Sequence, residues 1–513
     1  MRNLVSCSKS GMIRIACNAW LALLATACVG TSQAPDYRMQ YEVGVDTVGH
    51  YLNVGLQLTG VSTFPEGNGV VLSMPVWAPG YYVVVDFPKH LTDFVARKAD
   101  GTPLTWHKLG KNKWLVDNAG SDTVCISYRI FANEKSVAEA RVSDGAAFIP
   151  GNGVYMHVDG DIDHEVAVHF RLPDNWTHIS TGLPCNGEQY VASDFDVLYD
   201  SPVLLGTQRV DSFSFEGHQY EFAFEQPGDL DKTDFFGDFR RIVHAATQLM
   251  GHVPYDRYCL LHLCEGRGGL EHLNSQACYI DNGYRFASAD DYISHLDFVA
   301  HEYYHLYNVK HIRPIELGPF DYDREVFTPL LWVSEGFTCY YSAQLLYRSG
   351  IIGRQKMLDM LSEYIRDTES HEGHRHMSLR QSSYDIWLNF FNRDANGSDQ
   401  RISYYVKGPV LGLLFDCQLR AVSQRQRSLD DLMRLLYNRY DQQLGRGFTE
   451  EEFWQSVLEV AGDDGAVRQL RRYVDTTADI DYAALLSPMG LLLDTTTWQL
   501  SASADAPYFS QQQ

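Results

Sequence analysis

The sequence predicts an N-terminal antiparallel β-sandwich domain followed by a mostly helical α+β domain. Between residues 36 and 205, short β-branched or aromatic runs such as YLNVGLQLTGV and TVCISYRIF alternate with turn-forming clusters such as FPEGNG. That alternation is typical of a β-sandwich. From about residue 230 onward, apolar side chains recur at helical spacing, as in FFGDFRRIVHAATQLMGHV. The length of 513 residues also exceeds what a single compact core accommodates.

These patterns divide the chain into four segments. We predict a signal peptide over residues 1–28, the β-sandwich over 36–205, the helical domain with its C-terminal helices over 206–495, and a loose polar tail over 496–513. A few strands lie among the helices of the second domain, including YCLLHLCEG and SQACYIDN. The second domain is therefore α+β rather than all-helical.

The N-terminus has the pattern of an export signal. Basic residues precede an apolar run, IACNAWLALLATACVG, that is too short to span a membrane as a helix. Ala25-Thr26-Ala27 fits a small-x-small cleavage site, whereas the same residues followed by Cys28 resemble a bacterial lipobox. The sequence leaves both cleavage sites as alternatives. We predict an exported protein, located in the periplasm or held at the outer membrane as a lipoprotein through Cys28.

The charge of the chain excludes two classes of partner. Asp and Glu number 65 against 42 Lys and Arg, which gives a formal net charge of −23. A field of that sign repels nucleic acid and anionic lipid headgroups. We therefore expect no nucleic-acid partner, and membrane contact only through a lipid anchor at Cys28.

The stretch HEYYH, residues 301–305, carries the clearest chemical signal. Ser288 can cap a helix that contains this stretch, and apolar residues form a stripe along it. His301 and His305 are four residues apart, so both imidazoles leave the same face of the helix. Zinc accepts two such nitrogen ligands, and Glu302 then lies where it can hold and deprotonate a water molecule.

A third ligand is expected downstream of the two histidines. Glu335 lies in LLWVSEGFTCYY, 30 residues after His305. A carboxylate in so apolar a helical stretch must be paired, bound to a metal or turned to solvent. Two histidines and this glutamate complete a ligand set for zinc, so we predict one zinc ion per chain, bound by His301, His305 and Glu335.

Four motifs in order resemble one known family. HEYYHLYNVKHIRP, LGPFDYDREVFTPLLWVSEGFTCYY, GGLEHLNS and SYYVKG are together similar to the glycyl aminopeptidase family of gluzincin metallopeptidases. The resemblance extends back through MPVWAPGYYVVVDF and forward through YVDTTADIDYAALL, and so covers nearly all of the exported chain. It implies an N-terminal β domain and a thermolysin-like catalytic domain, Glu302 as general base and acid, and preference for N-terminal glycine, then alanine.

The motif GRGGLEHLNS bears on which peptide bond is cut. Gly268 and Gly269 let the backbone approach a ligand closely, and Glu271 follows them. In aminopeptidases with a Gly-Gly-x-Glu strand at the cleft edge, this carboxylate pairs with the free α-ammonium group of the substrate. Such a charge-assisted contact fixes the scissile bond one residue from the amine. We therefore expect these three residues to bind the substrate.

The motif SYYVKG supplies a candidate donor to the oxyanion. Related aminopeptidases carry Tyr-x-Lys-Gly at a helix start, with the tyrosine hydroxyl donating to the tetrahedral oxyanion. Tyr405 matches that tyrosine, and Tyr404 is the alternative. Asn308 and Thr338 follow His305 and Glu335 by about one turn, and either orient those ligands or only pack beside them.

The residues together predict a zinc-dependent aminopeptidase that hydrolyses the N-terminal residue of peptides with metal-activated water. Two alternatives stay open: a thermolysin-type zinc endopeptidase, and a non-catalytic surface lipoprotein that binds peptides. Glu271 disfavours the first, and retention of Glu302 and Tyr405 beside the zinc ligands disfavours the second. Many members of the family continue into a PDZ domain after the helical region. This sequence ends soon after GLLLDTTTWQL, so we expect no PDZ domain.

Overall fold

A computed structural model describes residues 37–64, 69–280, 283–389 and 396–509. The predicted signal peptide over residues 1–28, including Cys28, lies outside the described residues, so export and lipidation stay predictions. No helix within the described ranges is long and apolar enough to cross a membrane.

The N-terminal domain is built from β-strands, with one short helix, α1 (Phe195–Tyr199). Its strands are β1 (Arg38–Asp46), β2 (Tyr51–Thr59), β3 (Val70–Ser73), β4 (Leu91–Lys98), β5 (Trp106–Lys108), β6 (Lys113–Val116), β7 (Thr123–Phe131), β8 (Arg141–Val142), β9 (Ala146–Ile149), β10 (His157–Val158), β11 (Val166–Arg171), β12 (His178–Thr181), β13 (Cys185–Asn186), β14 (Gln189–Ala192) and β15 (Val203–Gly206). The β-rich first domain predicted from the sequence is confirmed.

Three sheets make up this domain. The largest has the order β13-β14-β11-β1-β2-β7-β4, and the smaller two have the orders β10-β3-β6-β5 and β12-β15-β9-β8. Side chains alternate between buried and exposed along β2 and β7, so one face of the large sheet packs on the core. Pairing is antiparallel except between β1 and β11, which are parallel. A parallel pair needs a long crossover, and 119 residues separate these two strands.

The second domain opens with a mixed sheet and one helix. Its elements are β16 (Arg209–Phe215), β17 (His218–Phe224), α2 (Phe235–Met250), β18 (Arg257–Cys264), β19 (Gly269–Glu271) and β20 (Ser275–Ile280). The strand order is β16-β17-β18-β20-β19, with β19 antiparallel to β20. The strand that carries Gly269 and Glu271 is thus an edge strand, with one side free to face the cleft.

Helices form the remainder of the second domain, ending in a hairpin. They are α3 (Ala289–Tyr304), α4 (Phe337–Arg348), α5 (Arg354–Ser370), α6 (Leu379–Tyr384), α7 (Ile386–Asn389), α8 (Gly397–Gln400), α9 (Tyr404–Val422), α10 (Leu429–Leu436), α11 (Glu450–Ala461), α12 (Asp464–Asp475) and α13 (Tyr482–Leu486), followed by β21 (Leu491–Asp494) and β22 (Gln499–Ala502). One turn of π-helix, Trp332–Gly336, leads directly into α4.

Two local features set the positions of the site-bearing helices. Ser288 and Asp291 form a capping box at the start of α3, which satisfies free N–H groups of its first turn. Gly336 and Gly408 lie where the π-turn crosses α9, and a Cβ added at Gly336 would stand 2.5 Å from the Cα of Gly408. Because neither residue has a side chain, the two backbones touch and bring Glu335 next to the start of α9.

The predicted loose tail over residues 496–513 is wrong for residues 496–509. Strand β22 pairs with β21, and Tyr508 is fully buried. The Tyr508 hydroxyl lies 2.7 Å from the Tyr340 hydroxyl on α4. The segment is polar on average, which led to the prediction of a loose tail. It also contains two aromatic side chains, Tyr508 and Phe509, whose burial anchors it to the helical core.

Candidate active site

The predicted site residues converge on one cavity of about 590 Å³ between the two domains. The second domain contributes β19, one face of α3, Glu335 and Tyr405. The β domain contributes Gly80, Tyr81 and the segment 135–137. Ser136 forms a parallel bridge with Arg267, so this segment runs beside the approach to β19. The cleft is therefore an interface between domains, a common place for a ligand site.

The three predicted metal ligands lie together in this cavity. The Nε2 atoms of His301 and His305 are 2.9 Å apart. Glu335 Oε2 lies 3.6 Å from the His301 Nε2 atom and 3.2 Å from that of His305. The ligand atoms of all three fall within 4.8 Å of one another. Two imidazole nitrogens and a carboxylate oxygen at this spacing form a donor set suited to a tetrahedral metal ion.

The electrostatics of the cavity also fit a bound cation. Three carboxylates, Glu271, Glu302 and Glu335, are buried around the two histidines. Glu335 Oε2 is buried with no hydrogen-bond partner among the described residues. Burial lowers the pKa of His305, but the carboxylates of Glu335, Glu271 and Glu302 outweigh it and raise that pKa. Buried negative charges need compensation, and a divalent cation between the histidines would supply it.

Asn308 holds two of the ligand-bearing segments together. The Nδ1 atom of His305 lies 2.8 Å from the Asn308 backbone oxygen, so Nδ1–H donates there and Nε2 keeps its lone pair for a metal. The Asn308 side chain donates to the backbone oxygens of Val333, at 2.8 Å, and Ser334, at 3.1 Å. Thr338 donates to the Ser334 oxygen at 2.6 Å. Both residues orient ligand-bearing backbone rather than merely packing beside it.

Replacing Asn308 with alanine is expected to weaken metal affinity by about 10- to 100-fold, because the π-turn that carries Glu335 loses its tie to α3. The buried oxygens of Val333 and Ser334 also lose a donor, which lowers the free energy of unfolding by about 1–3 kcal/mol. Competition with a chelator and thermal melting of the metal-loaded protein measure the two effects. Asn438→Ala, at an exposed position, is the matched control. Unchanged affinity in Asn308→Ala would contradict this role.

Glu302 lies against the glycines of β19. A Cβ added at Gly269 would stand 2.1 Å from Glu302 Oε1, so only glycine leaves room for that carboxylate. Gly268 has a φ of +96°, in the left-handed region that favours glycine. Burial raises the pKa of Glu302, and the neighbouring Glu271 and Glu335 raise it further. Gly269 thus makes room for the Glu302 carboxylate, in addition to the backbone approach expected from the sequence.

Glu271 lies close to the metal centre, and the β domain fixes its strand. Ligand atoms of Glu271, Glu302 and His305 fall within 4.8 Å of one another. Just after Glu271, the His272 ring and the Leu273 N–H contact the Asp200 carboxylate at 3.0 and 2.7 Å. Lys310, six residues past the end of α3, donates to the same carboxylate at 2.7 Å. Asp200 therefore ties the edge strand and the metal-binding helix to the first domain.

Sequence reasoning missed Asp200 and Gly80. Gly80 has a φ of +83°, and a Cβ there would lie 2.7 Å from Glu271 Oε1. The motif MPVWAPGYYVVVDF, quoted for the family resemblance, contains this glycine and could have pointed to it. No such signal marks Asp200, because an aspartate at the end of a five-residue helix has no distinctive pattern.

Tyr405 and Tyr404 have different environments. Tyr405 lines the cavity, with its ring centroid 6.4 Å from that of His301. Tyr404 is fully buried and packs in the hydrophobic core. Burial raises the pKa of Tyr405, with Glu335 adding to the shift, so the hydroxyl keeps its proton and can donate it. Of the two tyrosines, this geometry favours Tyr405.

Two family models match the chain in the order expected from the fold. The N-terminal domain of peptidase M61 matches residues 40–207, and M61 glycyl aminopeptidase matches residues 294–411. Together they cover more than half of the chain. No PDZ-domain match accompanies them. Among curated proteins, none matches the sequence.

Solved structures of similar fold include several aminopeptidases. An aminopeptidase N family protein from Idiomarina loihiensis has 25% identity and a TM-score of 0.81, over 89% of this chain and 79% of that one. An M1 zinc metallopeptidase from Deinococcus radiodurans has 13% identity and a TM-score of 0.52, over 86% and 94%. Aminopeptidase A from Legionella pneumophila, in complex with aspartic acid, has the same identity and TM-score, over 86% and 50%.

The family matches agree with the architecture of a β domain followed by a helical domain. The cavity that joins those domains gathers two histidines and four carboxylates. The chain therefore belongs to the M61 glycyl aminopeptidase family and is a peptidase.

Proposed function

We propose that the protein is a zinc aminopeptidase that removes N-terminal glycine, and less readily alanine, from peptides. The observation that carries this proposal is the position of Glu271. Its carboxylate lies within 4.8 Å of the ligand atoms of His305 and Glu302. If the substrate ammonium group binds at Glu271, only one residue fits between it and the candidate metal site, because one extended residue spans about 3.3–3.6 Å.

His301, His305 and Glu335 would hold one zinc ion per chain. Bound there, zinc lowers the pKa of a coordinated water to about 7 and polarises the scissile carbonyl. Asn308 keeps the His305 imidazole in the tautomer that offers Nε2 to the metal.

The remaining residues move protons and stabilise charge. Glu302 takes a proton from the attacking water and delivers it to the amine that leaves. The Tyr405 hydroxyl donates to the oxygen of the scissile carbonyl as negative charge develops there. Glu271 holds the substrate ammonium group, which positions the scissile bond against Glu302.

Preference for a small N-terminal residue is supported by crowding beside Glu271. The Gly80 backbone approaches so closely that an added Cβ would lie 2.6 Å from Leu270 Cδ1 and 2.7 Å from Glu271 Oε1. Tyr82 is buried in the same region and is close enough to Glu271 for its pKa to respond to that carboxylate. A large first side chain would compete for this space, whereas glycine would not.

The two alternative functions have less support. An endopeptidase binds residues on both sides of the scissile bond, so an uncharged amide would occupy the place of the substrate amine. The buried Glu271 carboxylate would then face that amide without a compensating positive charge, which is unfavourable. A non-catalytic binding protein has no need for Glu302 and Tyr405 beside a complete ligand set.

A panel of arylamides tests the proposed function. The zinc-loaded protein is expected to hydrolyse Gly-p-nitroanilide fastest, the Ala compound more slowly and the Leu compound at least about 10-fold more slowly, because the larger side chain meets Gly80 and Tyr82. An N-acetylated peptide should resist cleavage, and a chelator should abolish turnover until zinc is restored. Cleavage of the blocked peptide without arylamide turnover would instead identify an endopeptidase.

A further inference from the structure

A half-buried carboxylate of unassigned role lies one helical turn before the candidate metal ligands. Asp297 precedes His301 by four residues on α3, so Asp297, His301 and His305 share one face of that helix. Asp297 lines the same cavity as the ligands. Its Oδ1 atom is buried and has no hydrogen-bond partner among the residues that the structure describes, although the Ser342 side chain hydrogen-bonds the carboxylate group. A buried acceptor left open in a cavity indicates a donor supplied by a ligand.

The direction of α3 places Asp297 on the far side of the metal centre from Glu271. Ligand atoms of Glu271 cluster with those of His305, the last of the three residues on that face. His301 lies one turn farther, and Asp297 a second turn, at about 5.4 Å per turn. An extended substrate advances about 3.3 Å per residue. With its amine at Glu271 and its first carbonyl at the candidate metal site, we expect the residue after the scissile bond to lie toward Asp297.

The surroundings of Asp297 favour a cationic partner. Burial raises the pKa of Asp297 to about 6; a hydrogen bond from Ser342 lowers this pKa, and Glu363 on α5 raises it. The Asp297 carboxylate is therefore ionised at pH 8. Two carboxylates, those of Asp297 and Glu363, thus favour a positive charge at this end of the cavity. The lysine and arginine of the cavity, Lys135 and Arg267, belong to another wall, formed by the β domain and the approach to β19. Lys135 also pairs with Glu265 at 3.1 Å.

We propose that Asp297 is a specificity-determining residue that binds the side chain of the residue following the scissile bond and favours lysine or arginine there. The proposal rests on the aminopeptidase function proposed above and names its preferred substrates as peptides that begin Gly-Lys or Gly-Arg. Ser294, Phe298, Ser342 and Tyr364 line the same cavity as Asp297. Phe298 and Tyr364 offer apolar surface for the methylene stem of such a side chain, whose charged end reaches the carboxylate.

A comparison of two isosteric substrates tests the proposal. Gly-Lys-amide and Gly-norleucine-amide differ only in the terminal ammonium group, and their amides remove any effect of a C-terminal carboxylate. The ratio of their kcat/KM values at pH 8 is measured in the same preparation, so partial misfolding cancels. We expect roughly 10-fold preference for lysine in the zinc-loaded protein, and a ratio near one in Asp297→Asn. Asp290→Asn, the same change at an exposed position of α3 that pairs with Lys356, should keep the original ratio.

Each possible ratio either supports or overturns the proposed role of Asp297. A ratio near one in the unaltered protein overturns the proposal, and so does a high ratio that survives Asp297→Asn. Gly-p-nitroanilide has no second residue and therefore reports the aminopeptidase function alone. Turnover of that compound with a ratio near one rejects only the role of Asp297, whereas absence of its turnover rejects both proposals.

Discussion

Replacing Glu302 with glutamine is expected to lower kcat for Gly-p-nitroanilide by roughly 10³-fold, because the variant has no group that takes a proton from the attacking water. Glu302 is not among the three proposed ligands, so zinc content measured by atomic absorption should not change. The thermal midpoint should stay the same or rise, since the change removes one of three buried carboxylates that repel one another. Lost activity in a protein of undiminished stability and metal content identifies a catalytic role.

Glu451→Gln is the matched control for this variant. Glu451 is exposed on α11 and undergoes the same chemical change far from the cavity. It should leave kcat and zinc content unaltered. If Glu302→Gln retains both zinc and full activity, the proton is handled elsewhere and the proposed mechanism fails.

Replacing Glu271 with glutamine is expected to lower kcat/KM for Gly-p-nitroanilide by about 100-fold, because a charge-assisted contact to the substrate ammonium group is lost. Two inhibitors isolate this contact. Glycine hydroxamate and acetohydroxamate carry the same metal-binding group and differ in the presence of the amine. The unaltered protein should bind the first about 100-fold more tightly, and Glu271→Gln should reduce that ratio to near one.

The inhibitor ratio separates recognition of the amine from damage to the metal centre. A displaced zinc ion weakens both hydroxamates together and leaves their ratio high. Glu451→Gln again serves as the control. An unchanged ratio in Glu271→Gln would show that another group binds the ammonium, and the basis for cleavage one residue from the N-terminus would be lost.

Local signals in the sequence predicted the metal-binding helix and the β-rich first domain well. Ser288 and Asp291 cap α3 as expected from their positions, and the four-residue spacing alone places His301 and His305 on one face. Of the three alternatives left open for Glu335, exposure to solvent is ruled out, because its carboxylate is buried beside His301 and His305. Each of these depends on residues close together in the chain, where helical geometry converts spacing directly into position.

Features that depend on distant residues could not be predicted in this way. The contact of Gly336 with Gly408 joins positions 72 residues apart, and Asp200 reaches Lys310 across 110 residues. The parallel pairing of β1 with β11 is equally non-local. The sequence predicted a loose tail over 496–509 because the segment is polar on average, whereas its packing depends on two aromatic side chains.

The Asp200 carboxylate contacts His272, Leu273 and Lys310 of the other domain, and the Gly80 backbone packs against Glu271. Each domain therefore constrains which residues the other can accept: a side chain at position 80 would displace Glu271, and loss of Asp200 would release the strand that carries it. Under the proposed function, the position of cleavage is therefore set jointly, by the Glu271 carboxylate of the second domain and the Gly80 backbone of the first. We therefore expect that replacing one domain with that of a distant relative would disturb the contacts that hold Glu271 in place.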